Sequence, residues 1–144
     1  MQIGYNYPGI TIVYFCNDGE GNFVMSKRSN NTRDEHGRWD IGGGKLEYGE
    51  TVKTTLQREV KEEYCTIVLD FKFLGYREIK RKHGGRNTHW IALDFKCLVD
   101  PEKVKNGEPH KFEEVSWFTL KNMPKNLHSQ LPLFLKKYKS DLKI

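Results

Sequence analysis

Cysteine is scarce in this chain, and its placement excludes a disulfide framework. Cys16, Cys65 and Cys97 are odd in number, far apart and without a C-x-x-C spacing. Cys16 and Cys97 sit in apolar runs, so buried thiols in a reducing compartment are expected. Long apolar stretches are also lacking. The longest, Ile10 to Cys16, is far too short to span a bilayer, and no basic segment followed by an apolar one opens the chain. The expectation is a soluble, cytoplasmic protein with no membrane partner. Several catalytic patterns are missing as well. There is no H-E-x-x-H, the five histidines are scattered, and Gly42-Gly43-Gly44-Lys45 lacks both the upstream glycine and the following Ser/Thr of a P-loop. No internal repeat or low-complexity segment stands out. The 144 residues suit a single domain over 1–144, long enough to bury a core without staples.

What is present is organised around residues 42–66. A glycine-rich turn, Gly42-Gly43-Gly44-Lys45, leads to Thr51, a plausible N-cap, and the run from Val52 to Tyr64 holds no Gly or Pro, which predicts a helix. Its apolar stripe is Val52, Leu56, Val60 and Tyr64. At about 100° per residue, Glu59 and Glu63 fall on or beside that stripe and Glu62 flanks it, so the acids are expected to face the protein body. Glu59 meets Glu62 and Glu63 at like-charge spacings that cost a few tenths of a kcal/mol each when exposed and more when desolvated. Arg58 can pair with Glu62, but one guanidinium does not neutralise three carboxylates. A solvated charged helix face is the plainer alternative. A divalent cation is the better answer, because magnesium and manganese take oxygen ligands and leave room for substrate phosphates.

The rest of the chain reads as strands and loops. Gly9 to Asn17 is apolar and β-branched, the pattern of a central strand, and the turn chemistry of Asn17 to Asn22 joins it to a second strand, Phe23 to Arg28. Ser29 to Arg38 reads as a loop, and Trp39 as a packing anchor. Ile67 to Lys80 alternates with Ile67, Leu69, Phe71 and Phe73 on one face and breaks phase at Gly75, predicting a bulge. His83 to Asn87 reads as the loop to a further strand, Thr88 to Val99, with His89 a structural residue. Asp100 to Pro109 is a surface loop, Phe112 to Leu120 a strand, and Leu131 to Tyr138 a terminal helix. This order fits an α+β sheet covered by helices on two faces. The net charge of +5 coexists with an acidic helix, so the basic surplus lies elsewhere and would draw a polyanion.

The stretch from Gly44 also resembles the signature of the Nudix hydrolases, MutT-like enzymes acting on nucleoside diphosphates joined to another group. Gly44, Glu50, Arg58, Glu59, Val60, Glu62 and Glu63 fall in register with its glycine, glutamates, arginine and aliphatic position. Cys65 stands where the pattern has glycine and Thr66 where it has an aliphatic residue, which touches the helix exit rather than the carboxylates. The resemblance implies an α/β/α sandwich with a mixed β-sheet between helices. It also implies Mg2+, or Mn2+, held by Glu59, Glu62, Glu63 and the backbone carbonyl of Gly43, with Arg58 fixing the glutamates and Gly44 and Glu50 structural. Glu59 is the expected residue for positioning or deprotonating the attacking water. Glu108, Glu113 and Glu114 are candidates for an extra ligand or base, and Arg28 and Lys45 for substrate phosphates. The implied reaction is hydrolysis of a (d)NTP or oxidised (d)NTP to the monophosphate plus pyrophosphate. ADP-ribose or a dinucleotide is the second substrate reading, and a capped RNA end the third. A non-catalytic nucleotide-binding module, or an RNA-binding protein using the basic stretch Arg77 to Arg86, is the alternative of another class. A homodimer is left open.

Overall fold

The computed structural model describes residues 1–143. Its sheet is built on β1 (Gly9–Asn17), which pairs in parallel with β6 (Arg86–Val99) from Gly9 opposite Trp90 to Asn17 opposite Leu98. The other edge of β1 is shared. Antiparallel β4 (Gly42–Lys45) lies along Thr11 to Tyr14, while β2 (Phe23–Arg28) joins at Asn17 opposite Phe23. Beyond β2 lie β3 (Trp39–Asp40) and β7 (Phe112–Phe118), and β5 (Val68–His83) closes the far side against β6. The sheet is therefore mixed. One helix, α1 (Val52–Tyr64), covers one face and the other, α2 (Leu131–Lys137), covers the opposite face.

The two cores follow from the strand period of two. Ile12, Tyr14 and Cys16 of β1 point to α1 and meet Leu56, Val60 and Tyr64, all fully buried. Phe15 points the other way, stacked on Phe23 with ring centroids 4.5 Å apart and facing Phe134 of α2.

Helix α1 begins as its sequence predicts, with Thr51 Oγ1 accepting from the Thr54 N–H at 3.1 Å. It ends on Cys65 in the left-handed region at φ 60, although cysteine carries a Cβ that glycine would not. Tertiary contacts hold that end. The N–H groups of Lys105 and Gly107 donate to the carbonyls of Tyr64 and Glu63, each at 2.9 Å, so two exit carbonyls are satisfied from the Asp100–Pro109 loop. A Cβ on Gly107 would collide with the Glu62 carbonyl, so this close approach needs glycine.

Two details of the β5–β6 hairpin differ from the sequence reading. The expected loop, 83–87, is only the two-residue turn Gly84-Gly85, both at positive φ, the geometry that matches strand twist. The phase break at Gly75 is present, as a register shift between Phe73 and Gly75. The apolar face before it is half open: Leu69 and Phe73 are more than half exposed, because β5 is the sheet edge, and Phe71 and Phe73 find a neighbour in Phe95.

Candidate active site

The site forms where α1 leans on β4. Gly42, Gly43 and Gly44 pair with β1, and their lack of side chains lets the neighbours close in. A Cβ on Gly42 would stand in the Tyr14 ring, and one on Gly44 would stand in the Glu59 carboxyl group. Glu59 and Glu63 are consequently tucked against the strand, with 13% and 4% of their side chains exposed, whereas Glu62 is 49% exposed. The expectation that all three acids face the protein body therefore holds for Glu59 and Glu63 and fails for Glu62, which flanks the apolar stripe and lies outward.

Each acid has a distinct environment. Glu63 Oε1 accepts from the Tyr14 hydroxyl and from the Gly43 N–H at 3.2 Å, and Lys111 Nζ stands 3.9 Å from Oε2. Burial nonetheless pushes the Glu63 carboxyl up to about 8, with Glu59 and Glu108 adding repulsion. Burial also raises Glu59, against the pull of Arg58. Arg58 is the hub of the exposed side: its Nη1 donates to Glu59 at 3.0 Å and to Glu62 at 3.2 Å, while Nε and Nη2 form a fork on Glu50. That fork, with Thr55 Oγ1, holds Glu50 down at about 2.

Among the described residues, no three His, Cys, Asp or Glu side chains converge as a ready-made metal cage. The donor chemistry still suits a hard divalent cation. Two carboxyls lie one helical turn apart, burial raises the proton affinity of both, and a third carboxylate stands beside them, a set of oxygen donors of the kind such ions take.

A cavity of about 340 Å³ opens from this end. Glu63 and Gly43 stand in its wall with Arg28, Lys45, Arg77 and Lys111. Of the further acids expected near the chemistry, Glu108 touches the site through Lys111 at 3.6 Å, whereas Glu113 pairs with Lys27 and Glu114 accepts from Ser116. Lys45 lies on the wall but pairs with Glu47 at 3.8 Å, and Arg28 is braced by Asp34. Sequence reasoning passed over Tyr14 and Lys111, which directly contact Glu63. Their signal was weak, since Tyr14 reads as one more apolar strand residue and Lys111 as surface charge. It also missed Asp94, fully buried on β6, which takes Arg77 Nε at 2.7 Å and Nη2 at 2.9 Å and the Tyr138 hydroxyl at 2.6 Å. Asp94 fixes the Arg77 guanidinium in the cavity wall.

Comparison with known proteins agrees with this architecture. The chain is 28% identical over 120 residues to the nucleoside triphosphatase NudI of an Enterobacter species, covering 78% of this chain and 84% of that one. Its fold is similar to that of a MutT protein from Methanosarcina mazei Go1, with a TM-score of 0.77 at 24% identity over 96% of this chain and 99% of the other. It is also similar to a bifunctional NMN adenylyltransferase/ADP ribose pyrophosphatase from Francisella tularensis, solved with AMP and a manganese ion. That match has a TM-score of 0.71 at 15% identity over 93% of this chain and 42% of that one. A family model, the NUDIX domain, matches residues 6–138, and with the box glutamates, the glycine strand and the mixed sheet in place, the chain belongs to the NUDIX domain family of pyrophosphohydrolases.

Proposed function

We propose that the protein hydrolyses a nucleoside triphosphate to the monophosphate and pyrophosphate, with a divalent cation at α1. The observation that carries this reading is the pairing of inward Glu59 and Glu63 with the glycine strand at one end of a cavity walled by lysine and arginine. The NudI relatives, named nucleoside triphosphatases, support this substrate class. Glu59, Glu62, Glu63 and the Gly43 carbonyl would hold Mg2+ or Mn2+. When bound, such an ion neutralises phosphate oxygens and lowers the pKa of coordinated water.

The chain's own side chains account for the remaining chemistry. Lys111, 3.9 Å from Glu63, and Lys45 and Arg28 along the same wall bind phosphate oxygens and offset the charge that builds on the leaving group. Glu59, desolvated and held by Arg58, orients the attacking water and accepts its proton. Arg58 and Glu50 keep Glu59 and Glu62 in place. Glu108 acts through Lys111.

The test is turnover of nucleoside triphosphates, ADP-ribose and dinucleotides with and without chelator, following pyrophosphate or monophosphate release. Triphosphate turnover is expected, abolished by chelator and reduced at least about 100-fold in Glu59→Gln. Turnover that survives chelator, or an undiminished Glu59→Gln, would refute the assignment.

A further inference from the structure

Strand β5 ends the sheet, and among the described residues no strand lies beyond it. Its first half is nevertheless apolar. Leu69, Phe71 and Phe73 are all exposed on the α1 side, where Phe71 and Phe73 lean on Phe95 at the margin of the core. Between them, Asp70 and Lys72 are exposed on the α2 side, and Lys72 Nζ reaches Asp141, just past the end of α2, at 3.3 Å. Register shifts between Val68 and Asp70 and between Phe73 and Gly75 bracket the stretch.

The main chain is unsatisfied along this edge. The Phe71 N–H donates to the carboxylate of its own neighbour, Asp70, at 2.9 Å. Opposite Phe71, the Cys97 carbonyl is turned to β1, where it accepts from Asn17 Nδ2 at 2.9 Å. Phe71 and Cys97 are therefore a pair that exchanges no hydrogen bonds, and both main-chain groups of Phe71 face away from β6. An apolar edge with free main-chain groups is a template for another strand.

We propose that this edge pairs with the same edge of a second copy of the chain, antiparallel, about a two-fold axis through Phe71 normal to the sheet. Such an axis pairs only residues of one face, so its centre falls on a residue, and the charges decide which one. Centred on Asp70 or on Lys72, it opposes like charges. Centred on Phe71, it sets Asp70 opposite Lys72 twice on the α2 side, at positions without main-chain bonds, where side chains come closest. On the α1 side it joins Leu69 to Phe73 and Phe71 to its own counterpart, so the exposed strip is covered from both copies. The Phe71 N–H then donates to the Phe71 carbonyl of the second copy, which releases Asp70 for Lys72. The contact is isologous and closes at two copies. Pairing ends at the second register shift, so the residues from Arg77 onward that line the catalytic cavity lie outside it.

The experiment is sedimentation equilibrium on the full chain, with wild type, Asp70→Lys and Lys72→Asp run separately and the two variants also mixed. Both positions are exposed, and thermal melting checks that each variant is folded. Wild type is expected to be a dimer. Each variant alone opposes two like-charge pairs and is expected to bind itself at least about 10-fold more weakly. The equimolar mixture is expected to regain the dimer, because every altered position then meets an opposite charge. A second measurement needs no charge change. Phe71→Cys is expected to cross-link to itself under a thiol oxidant, since the two Cα atoms of such a pair lie about 5.5 Å apart, whereas Tyr76→Cys, past the register shift, and wild type are not. A monomeric wild type, a dimer indifferent to both charge changes, a mixture as dissociated as its parts, or cross-linking at Tyr76→Cys in place of Phe71→Cys would overturn the proposal.

Discussion

Arg58 grips Glu50 across two turns of chain: Nε meets Oε2 and Nη2 meets Oε1, both at 2.8 Å, while Nη1 reaches Glu59 and Glu62. A planar fork of this kind fixes orientation as well as charge. Glu50 therefore acts on the chemistry through Arg58 rather than by touching substrate. Glu50→Ala leaves Arg58 free to swing onto Glu59 and Glu62, the groups proposed to hold the cation. The expected result is a loss of about 10-fold in apparent cation affinity or kcat, read by titrating turnover with Mg2+. Glu50→Gln, which keeps the shape but not the charge, should recover part of it. An unchanged titration curve would remove Glu50 from the positioning chain.

Gly42 and Gly44 separate folding from function. A Cβ on Gly44 collides with the end of the Glu59 side chain, which can swing aside, whereas a Cβ on Gly42 collides with the Tyr14 ring inside the core. Gly44→Ala is expected to cut turnover by about 100-fold, as removal of an acid-base group does, with little change in Tm. Gly42→Ala is expected to cost about 1–3 kcal/mol, as overpacking does, measured by denaturant unfolding. A Gly44→Ala enzyme with wild-type kcat would mean that Glu59 need not lie where the structure places it.

How much of this was legible in the sequence depended on range. Helix α1 and its cap were readable because Thr51 and the Val52–Tyr64 stripe carry local signals, and the hairpin at Asn17–Asn22 because turn residues announce it. Glu59 and Glu63 were placed inward by helical angle alone. Glu62 was expected inward with them and is not, because it lies at the flank of the stripe, where a few tens of degrees of helix rotation separate body from solvent; there it pairs with Arg58. Tyr14, Lys111 and the Asp94–Arg77–Tyr138 cluster escaped because their partners lie 17 to 49 residues away. Pattern within a window carries nothing about such pairs. The exposed apolar face of β5 was misleading for the same reason, because alternation reports a face but not whether anything covers it.

Asp94 is fully buried and satisfies a largely buried guanidinium and a buried hydroxyl at once. Removing one partner of such a pair leaves the other charge without compensation. Asp94→Ala is expected to destabilise the fold by about 3–5 kcal/mol, whereas Tyr138→Phe, which removes one donor, costs about 1–3 kcal/mol. Chemical denaturation of the two variants checks both figures. Equal losses would show that the hydroxyl, rather than the ion pair, sustains the cluster.

Glu35 and His128 give the fold an acid limit in two stages. Burial holds the His128 imidazole down at about 4, so the unfolded chain takes up this proton first. Stability from that source is complete above about 6.5 and is lost as pH falls toward 4. Burial pushes Glu35 upward, but the Ser129 hydroxyl and N–H, with His128 and Arg81, outweigh it and hold the carboxyl at about 2. Its contribution is complete above about 4.5 and is lost as pH falls toward 2. Unfolding free energies measured from pH 7 to pH 2.5 should therefore decline through both windows. His128→Gln should flatten the upper window only. Glu35→Gln should be less stable than wild type at neutral pH, and the gap should close below pH 4.5. A gap that stays constant down to pH 2.5 would show that Glu35 contributes through packing, with no charge-dependent part.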